Sequence, residues 1–254
     1  MIRVGISGCN GSMGRVLTEM INEIDDMEIV FGIDKRNDLK SFEYEIYDNP
    51  LNVTIKSDVI IDFSNPIGIS DLLKHAVKTK TPLVIATTGL NQDDESNIED
   101  ASKYIPIFKS SNTSLGINLI LDLVKKATNI LGSDFDIEIV EKHHKKKIDA
   151  PSGTAYMIAK EINMELNNSM SYRYGREGNE VKRTENEIGI HAVRGGTIAG
   201  EHTVIFAGTD EIIEIKHTAL SKKIFARGAI NAARFILNKK PMIYSMKNII
   251  ENKE

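Results

Sequence analysis

With one cysteine in its 254 residues, Cys9, the chain can close no internal disulfide and cannot assemble a cysteine-based zinc site. No run approaches the roughly 18 apolar residues of a membrane span. The first residues, "MIRVGISG", lack the long apolar stretch of a secretory leader. Positive charge is not in excess either: 32 lysines and arginines face 36 aspartates and glutamates, and the formal net charge of -4 opposes any general attraction to nucleic acid. There is no internal repeat and no low-complexity tract apart from one lysine cluster. These absences leave a cytoplasmic protein, with neither membrane nor nucleic acid among its expected partners. Its composition, 41% hydrophobic and 27% charged, is ordinary for a globular chain of one large or two modest domains.

What is present in the first hundred residues is an alternation of short apolar runs with amphipathic stretches. "RVGIS" (3–7), "EIVFGID" (28–34), "VIIDFS" (59–64), "PLVIATT" (82–88) and "IPIFKS" (105–110) read as strands buried on both faces of a parallel sheet. Helices are expected over 13–24 and over 69–79, where Leu72, Leu73, Ala76 and Val77 share a face. The βαβ series implies a doubly wound, Rossmann-like α/β domain. Residues 115–131 space Ile117, Ile120, Leu121, Val124 and Leu131 as a helical face, with Gly132 as a stop. Beyond them, "FDIEIVE" (135–141), "EIGIHAVR" (187–194), "HTVIFAG" (202–208) and "EIIEIKHT" (211–218) alternate as strands, the pattern of an α+β domain with a mainly antiparallel sheet. A last helix over about 222–238 is expected to return to the first domain.

"GISGCNGSMG" follows the first strand and opens a helix, with Gly8, Gly11 and Gly14 spaced G-x-x-G-x-x-G. Such a turn lets backbone approach a pyrophosphate, and the helix N-terminus offers N–H donors and partial positive charge. Asp34 stands 20 residues after Gly14 at the end of the second strand, where an acid bonds an adenosine ribose. Lys35 and Arg36 follow it and suit a 2′-phosphate, so NADH and NADPH are both expected cofactors.

"EKHHKKKIDAPSGTA" (141–155) sets two histidines among lysines before a Pro-Ser-Gly helix start that favours an anion. A histidine exchanges protons near neutral pH; nearby lysines disfavour its charged form and a bound dianion favours it. A solvated basic loop is the bland alternative. A metal site on His143 and His144 is disfavoured, because adjacent rings seldom reach one ion and ammonium groups repel it. Position favours catalysis, since a turn after a strand of the second domain can face a cofactor cleft.

That stretch resembles the E-x-H-H-x-x-K-x-D-A-P-S-G-T-A signature of the dihydrodipicolinate reductase (4-hydroxy-tetrahydrodipicolinate reductase) family. "GCNGSMG", "IATTG" (85–89), "SSNTSLGIN" (110–118), "AVRGGTIAGEH" (192–202) and "FARGAINAARFI" (225–236) have family counterparts in the same order. The resemblance implies reduction of a cyclic dicarboxylate imine by NADH or NADPH, giving tetrahydrodipicolinate for diaminopimelate and lysine synthesis. It implies that His143 and Lys147 are the proton-transferring residues and that His144, Gly153 and Thr154 bind the substrate. For the cofactor it implies Gly8, Cys9, Asn10, Gly11, Ser12 and Met13 in the turn, Asp34 and Lys35 at the ribose, and Ala86, Thr87, Thr88, Ser110, Ser111, Asn112 and Thr113 in loops on the nicotinamide side. It also implies a homotetramer built through the second domain.

Three positions depart from the family pattern. Ala86 replaces a common glycine, Thr113 a larger apolar residue, and Asn65 a residue that is basic in some members. The expected division is 1–114 with 219–254 for dinucleotide binding, and 115–218 for substrate binding and oligomerisation. Arg194 is expected to shape a hairpin or an oligomer contact, and His191, His202 and His217 to be structural. A different dehydrogenase with an acyclic substrate and a dinucleotide-sensing or nucleic-acid-binding protein are the rival readings.

Overall fold

The computed structural model describes residues 1–35 and 42–251. Arg36 and residues 252–254 of the expected returning segment lie outside them. The chain divides into two compact units, Met1–Leu115 with Lys222–Glu254, and Gly116–Ser221.

The first unit holds a seven-stranded sheet in which every pairing is parallel. Its strands are β1 (Ile2–Ser7), β2 (Met27–Ile33), β3 (Glu45–Tyr47), β4 (Val59–Asp62), β5 (Leu83–Ile85), β6 (Ile107–Lys109) and β12 (Ile243–Tyr244), in the order β12-β6-β5-β4-β1-β2-β3. Helices on both faces explain why the central runs are apolar throughout: all four residues of β4 are buried. On one face α1 (Ser12–Asn22) and α6 (Lys223–Ile236) pack Leu17, Ile21, Ala229 and Ile236 against Val4 and Ile6. On the other, α2 (Ile69–Thr79) and α3 (Gln92–Ala101) bring Leu72, Leu73, Ile98 and Ala101 onto Ile60 and Leu83. The unit closes with α7 (Met246–Glu251).

Helix α3, and strands β3 and β12, have no counterpart in the expected elements. Only Ile98 and Ala101 of α3 are buried, so its apolar periodicity is faint. Its start is instead marked by a capping box, with the Asn91 side chain accepting from the Asp94 N–H and the Asp94 carboxylate from that of Asn91.

The second unit is built on α4 (Leu115–Leu131), α5 (Gly153–Glu165) and a five-stranded sheet of β7 (Asp136–His143), β8 (Ser171–Tyr174), β9 (Glu187–Arg194), β10 (Gly200–Ala207) and β11 (Ile212–Ala219). The order is β11-β10-β7-β9-β8. The expected mainly antiparallel sheet is corrected here to a mixed one. β10 pairs antiparallel with β7 and β11, but β9 pairs parallel with β7 and β8. Connectivity permits this: the long segment 144–186, which includes α5, carries the chain from β7 to its parallel neighbour β9, whereas the short β10–β11 turn makes a hairpin. Alternation along β7 buries Ile137, Ile139, Glu141 and His143 in turn, the first two within a core with Ile158, Ile162 and Phe206. Among the described residues no helix is long and apolar enough to cross a membrane.

Candidate active site

In the second unit the strand period decides which groups of "EKHH" work together. Glu141 and His143 are two residues apart on β7 and therefore share its buried face. Glu141 is fully enclosed and its carboxylate meets four donors. Oε2 lies 2.6 Å from His143 Nδ1 and accepts from Arg194 Nη1 at 2.7 Å, while Oε1 accepts from Arg194 Nη2 at 2.6 Å and from the Ser152 N–H at 3.0 Å. Burial works against the ionised form, but the bonds from Arg194 and His143 outweigh it and hold the carboxyl below its ordinary range. A carboxylate only accepts, so the Nδ1 position of His143 is its proton-bearing side and Nε2 is left for exchange.

Ser152 joins this group to the helix. As N-cap of α5 it accepts from the Ala155 N–H at 3.2 Å, and its Oγ is 2.9 Å from His202 Nε2. His202 stacks edge-on against His143 with ring centroids 5.2 Å apart. Burial, with the neighbouring His143 next, lowers its pKa to about 4, so it stays neutral near pH 7. Gly153 starts α5 with nothing within 4 Å of where a Cβ would sit, which leaves room for a ligand at the positive end of the helix. Lys147 is 2.8 Å from Asp149 Oδ1, and its bond with Asp149 pulls that acid's pKa down. The Lys147 N–H donates to the His144 carbonyl at 3.1 Å, closing the turn between them.

The structure thus brings His143, His144, Lys147, Gly153 and Thr154 into one unit around the β7 end and the α5 start. It adds Glu141, Ser152, Arg194 and His202, which sequence reasoning left without a chemical part. Arg194 bonds Glu141 and also the Asp149 carbonyl at 2.7 Å, so it belongs to this cluster rather than to a bare hairpin. The period-two spacing of Glu141 and His143 was a usable signal; the Arg194 contact spans 53 residues and left none.

In the first unit the glycine turn fits a pyrophosphate on its own geometry. Gly8 has φ +79° and Gly14 sits so close beneath it that a Cβ would stand 2.2 Å from the Gly8 carbonyl oxygen. Gly11 caps α1 without any side-chain bond, and the first turn of α1 contains no acid. Ser12, exposed at that start, accepts from Lys222 Nζ at 3.0 Å. Asp34 Oδ2 accepts from the Asn10 N–H at 3.0 Å, fixing the acid beside the turn. A cavity of about 510 Å³ is lined by Gly8, Asn10, Gly11, Asp34 and Lys35 together with Asn65.

Cys9 and Met13 enter this turn differently. Cys9 is fully buried, its Sγ against Gly32, and burial followed by the Asp34 charge pushes its thiol up to about 12. Only its backbone belongs to the turn. Met13 is half-buried against the core.

Ala86, Thr87 and Thr88 follow β5, and Ser110 to Thr113 follow β6, at the same edge of the sheet. The Ser110 N–H donates to the Ile85 carbonyl at 3.1 Å and its Oγ to the Asn112 carbonyl at 2.8 Å, tying the two loops. Thr88 and Ser111 are exposed, Thr87 and Asn112 buried. The three departing residues are accommodated. Ala86 donates its N–H to the Asp62 carbonyl at 2.9 Å, Thr113 its hydroxyl to the Phe225 carbonyl at 2.7 Å, and Asn65 caps the short turn Pro66–Gly68.

Comparison with known proteins gives one answer along the whole chain. Family models described as "Dihydrodipicolinate reductase, N-terminus" and "Dihydrodipicolinate reductase, C-terminus" match residues 2–113 and 116–250. A 4-hydroxy-tetrahydrodipicolinate reductase of Caldanaerobacter subterraneus subsp. tengcongensis is 50% identical, with 99% of each chain covered. Another from Clostridium tetani is 46% identical, over 97% of this chain and 96% of the relative. Among solved structures, "Dipicolinate bound Dihydrodipicolinate reductase from Paenisporosarcina sp. TG-14" superposes with TM-score 0.77 at 26% identity, covering 98% of this chain and 99% of that one.

Proposed function

The chain belongs to the dihydrodipicolinate reductase family, and on that premise we propose that it reduces 4-hydroxy-tetrahydrodipicolinate to tetrahydrodipicolinate with a nicotinamide dinucleotide, in diaminopimelate and lysine synthesis. The observation that carries the reading is the Glu141–His143 pair beside the open start of α5, a proton-handling group next to an anion site.

The dicarboxylate is held at the first turn of α5 by Gly153 and Thr154, with His144 and the Lys147 ammonium as its charged and polar partners. Asp149 neutralises Lys147 until a substrate carboxylate takes its place. A bound dihydronicotinamide supplies the hydride to the substrate ring. The substrate's 4-hydroxyl leaves as water, Lys147 gives the ring the proton that balances the hydride, and His143, kept in one tautomer by Glu141, takes up or returns a proton through Nε2. His202, neutral and bonded to Ser152, keeps a second positive charge away from His143.

For the cofactor, the turn from Gly8 to Met13 takes the pyrophosphate and Asp34 the ribose. Among the described residues, Asp48 and Asp71 line the same cavity as Asp34 against one cation, Lys35, which supports NADH over NADPH while leaving both usable. The edge strand β11 leaves Ile212 67% and Ile213 37% exposed, which supports assembly through the second sheet into a homotetramer, in the cytoplasm.

The test is a coupled assay in which dihydrodipicolinate synthase generates the substrate and oxidation of NADH or NADPH is followed at 340 nm. Turnover with both, faster with NADH, is expected. A folded sample that oxidises neither overturns the reading. Sedimentation at a mass other than that of four chains overturns the tetramer.

A further inference from the structure

Cross-strand register sets His202 of β10 directly opposite Glu141 of β7, on the face that Glu141 shares with His143. One residue bonds both of these neighbours of His143. The Ser152 N–H donates to Glu141 Oε1 at 3.0 Å, and its Oγ lies 2.9 Å from His202 Nε2. Ser152 is 2% exposed and His202 4%, so the two meet away from water.

The direction of the Ser152–His202 bond follows from counting donors. Ser152 Oγ already accepts from the Ala155 N–H at 3.2 Å. Among the described residues His202 Nδ1 has no partner, and the Ser152 hydroxyl has no acceptor other than His202 Nε2. If Nε2 donated, two buried groups would go unmet, the serine hydroxyl hydrogen and a bare Nδ1. If the hydroxyl donates, only the Nδ1–H goes unmet, and fewer unmet buried polar groups cost less. His202 is then a neutral ring with its proton on Nδ1. For His143, the 2.6 Å contact with Glu141 fixes one atom, and a ring held at one atom can still pivot about it. His202 limits that pivot: the two ring centroids are 5.2 Å apart and the planes cross at 72°.

We infer that Ser152 is a positioning residue for His143: its N–H steadies the Glu141 carboxylate, and its hydroxyl locks His202 in one tautomer and one orientation against the His143 ring. This rests on the proton-transfer part given to His143 above. Ser152 is also the N-cap of α5, so the residue that sets out the free N–H groups of the first turn is the one that aims His143 Nε2. Anion site and proton-transferring group are thereby held in one register by a single side chain.

The experiment measures kcat and KM of the intact protein in the coupled assay for wild type, Ser152→Gly, Ser152→Thr, His202→Phe and the double variant, together with ¹⁵N spectra of the histidine rings. Glycine caps a helix almost as well as serine and keeps the N–H, so Ser152→Gly removes the hydroxyl alone. It is expected to lower kcat about tenfold, while KM for the dicarboxylate moves by less than about threefold. Ser152→Thr, which returns a hydroxyl, is expected to restore kcat. His202→Phe keeps a ring but takes no bond from Ser152, so the double variant with Ser152→Gly is expected to show the same tenfold loss of about one single variant. The His202 spectrum should show one neutral tautomer, protonated at Nδ1, in wild type and a mixture in Ser152→Gly. Additive losses, equal changes in kcat and KM, or a wild-type His202 protonated at Nε2 overturn the inference. If His202→Phe does not fold, the spectra of wild type and Ser152→Gly decide. A wild type without turnover overturns the proposed reaction and this inference with it; a Ser152→Gly variant with full kcat overturns this inference alone.

Discussion

Glu141 Oε2 and His143 Nδ1 lie 2.6 Å apart on one face of one strand, and Arg194 closes on the same carboxylate from β9. The imidazole therefore has a fixed tautomer and a fixed aim before any ligand arrives. Glu141→Gln keeps the shape and removes the charge. It is expected to lower kcat by about 10²-fold, because the imidazole loses the carboxylate that fixes its tautomer and its aim. Dinucleotide affinity, set in the other unit, should not change. A variant with wild-type kcat at every pH would show that the pair is dispensable.

Gly200 faces the other side of that ring. A Cβ added there would stand 3.1 Å from His143 Nε2, tighter than ordinary contact. Gly200→Ala should tilt the ring by a few tenths of an ångström and cost about tenfold in kcat, with a small effect on folding. Steady-state kinetics beside thermal melting would separate the two. A full loss of melting temperature with normal kcat contradicts the expectation.

Acid should unfold the second unit in two windows. His202 has its pKa lowered to about 4, chiefly by burial, so the folded state resists a proton that the unfolded chain accepts from pH 6.5 downward. Stability contributed by the neutral ring is whole above pH 6.5 and falls as pH drops toward 4. Glu187 follows below. Burial opposes its charge, but Arg176 and Thr184 outweigh that and hold it at about 2 against an ordinary 4.5. Its contribution is whole above pH 4.5 and is lost as pH falls toward 2. Urea unfolding of the wild type, His202→Gln and Glu187→Gln across pH 2 to 8 should show each variant flattened in its own window. Parallel curves would refute the assignment.

Cys9 should be chemically silent in the folded protein. Its thiol is fully buried and pushed up to about 12, first by burial and then by the Asp34 charge. Ellman's reagent at pH 8 is expected to label no thiol in native protein and one per chain in urea. Rapid native labelling would mean that the glycine turn opens readily.

Much of this was legible in the residues, for physical reasons. The apolar run of β4 and the 3.6-residue stripe of α2 are consequences of burial on two faces and on one, so they declare themselves, and α2 occupies the expected 69–79. His143 and Gly153 were singled out through a long local signature, and the β7 end and the α5 start are where they stand. What stayed hidden depends on contacts between distant segments. Arg194 reaches Glu141 across 53 positions, and Asp62 meets Thr87 across 25. The mixed character of the second sheet was missed because β8, mostly exposed, has too little alternation to announce a strand. The polar α3 was missed because capping, not a buried stripe, marks it.

One consequence follows from the late return of the chain to its first sheet. β6 gains its outer neighbour only from Ile243 and Tyr244, and Val4 and Ile6 gain part of their cover only from α6. In chain order, then, the glycine turn stands far ahead of the elements that finish the sheet beneath it. A truncation that removes α6 and β12 would strip the dinucleotide fold of a wall and an edge while leaving the entire second sheet encoded. Residues distant along the chain, bonded to Ser12 and Thr113 through Lys222 and Phe225, thus govern whether the glycine turn's sheet is complete.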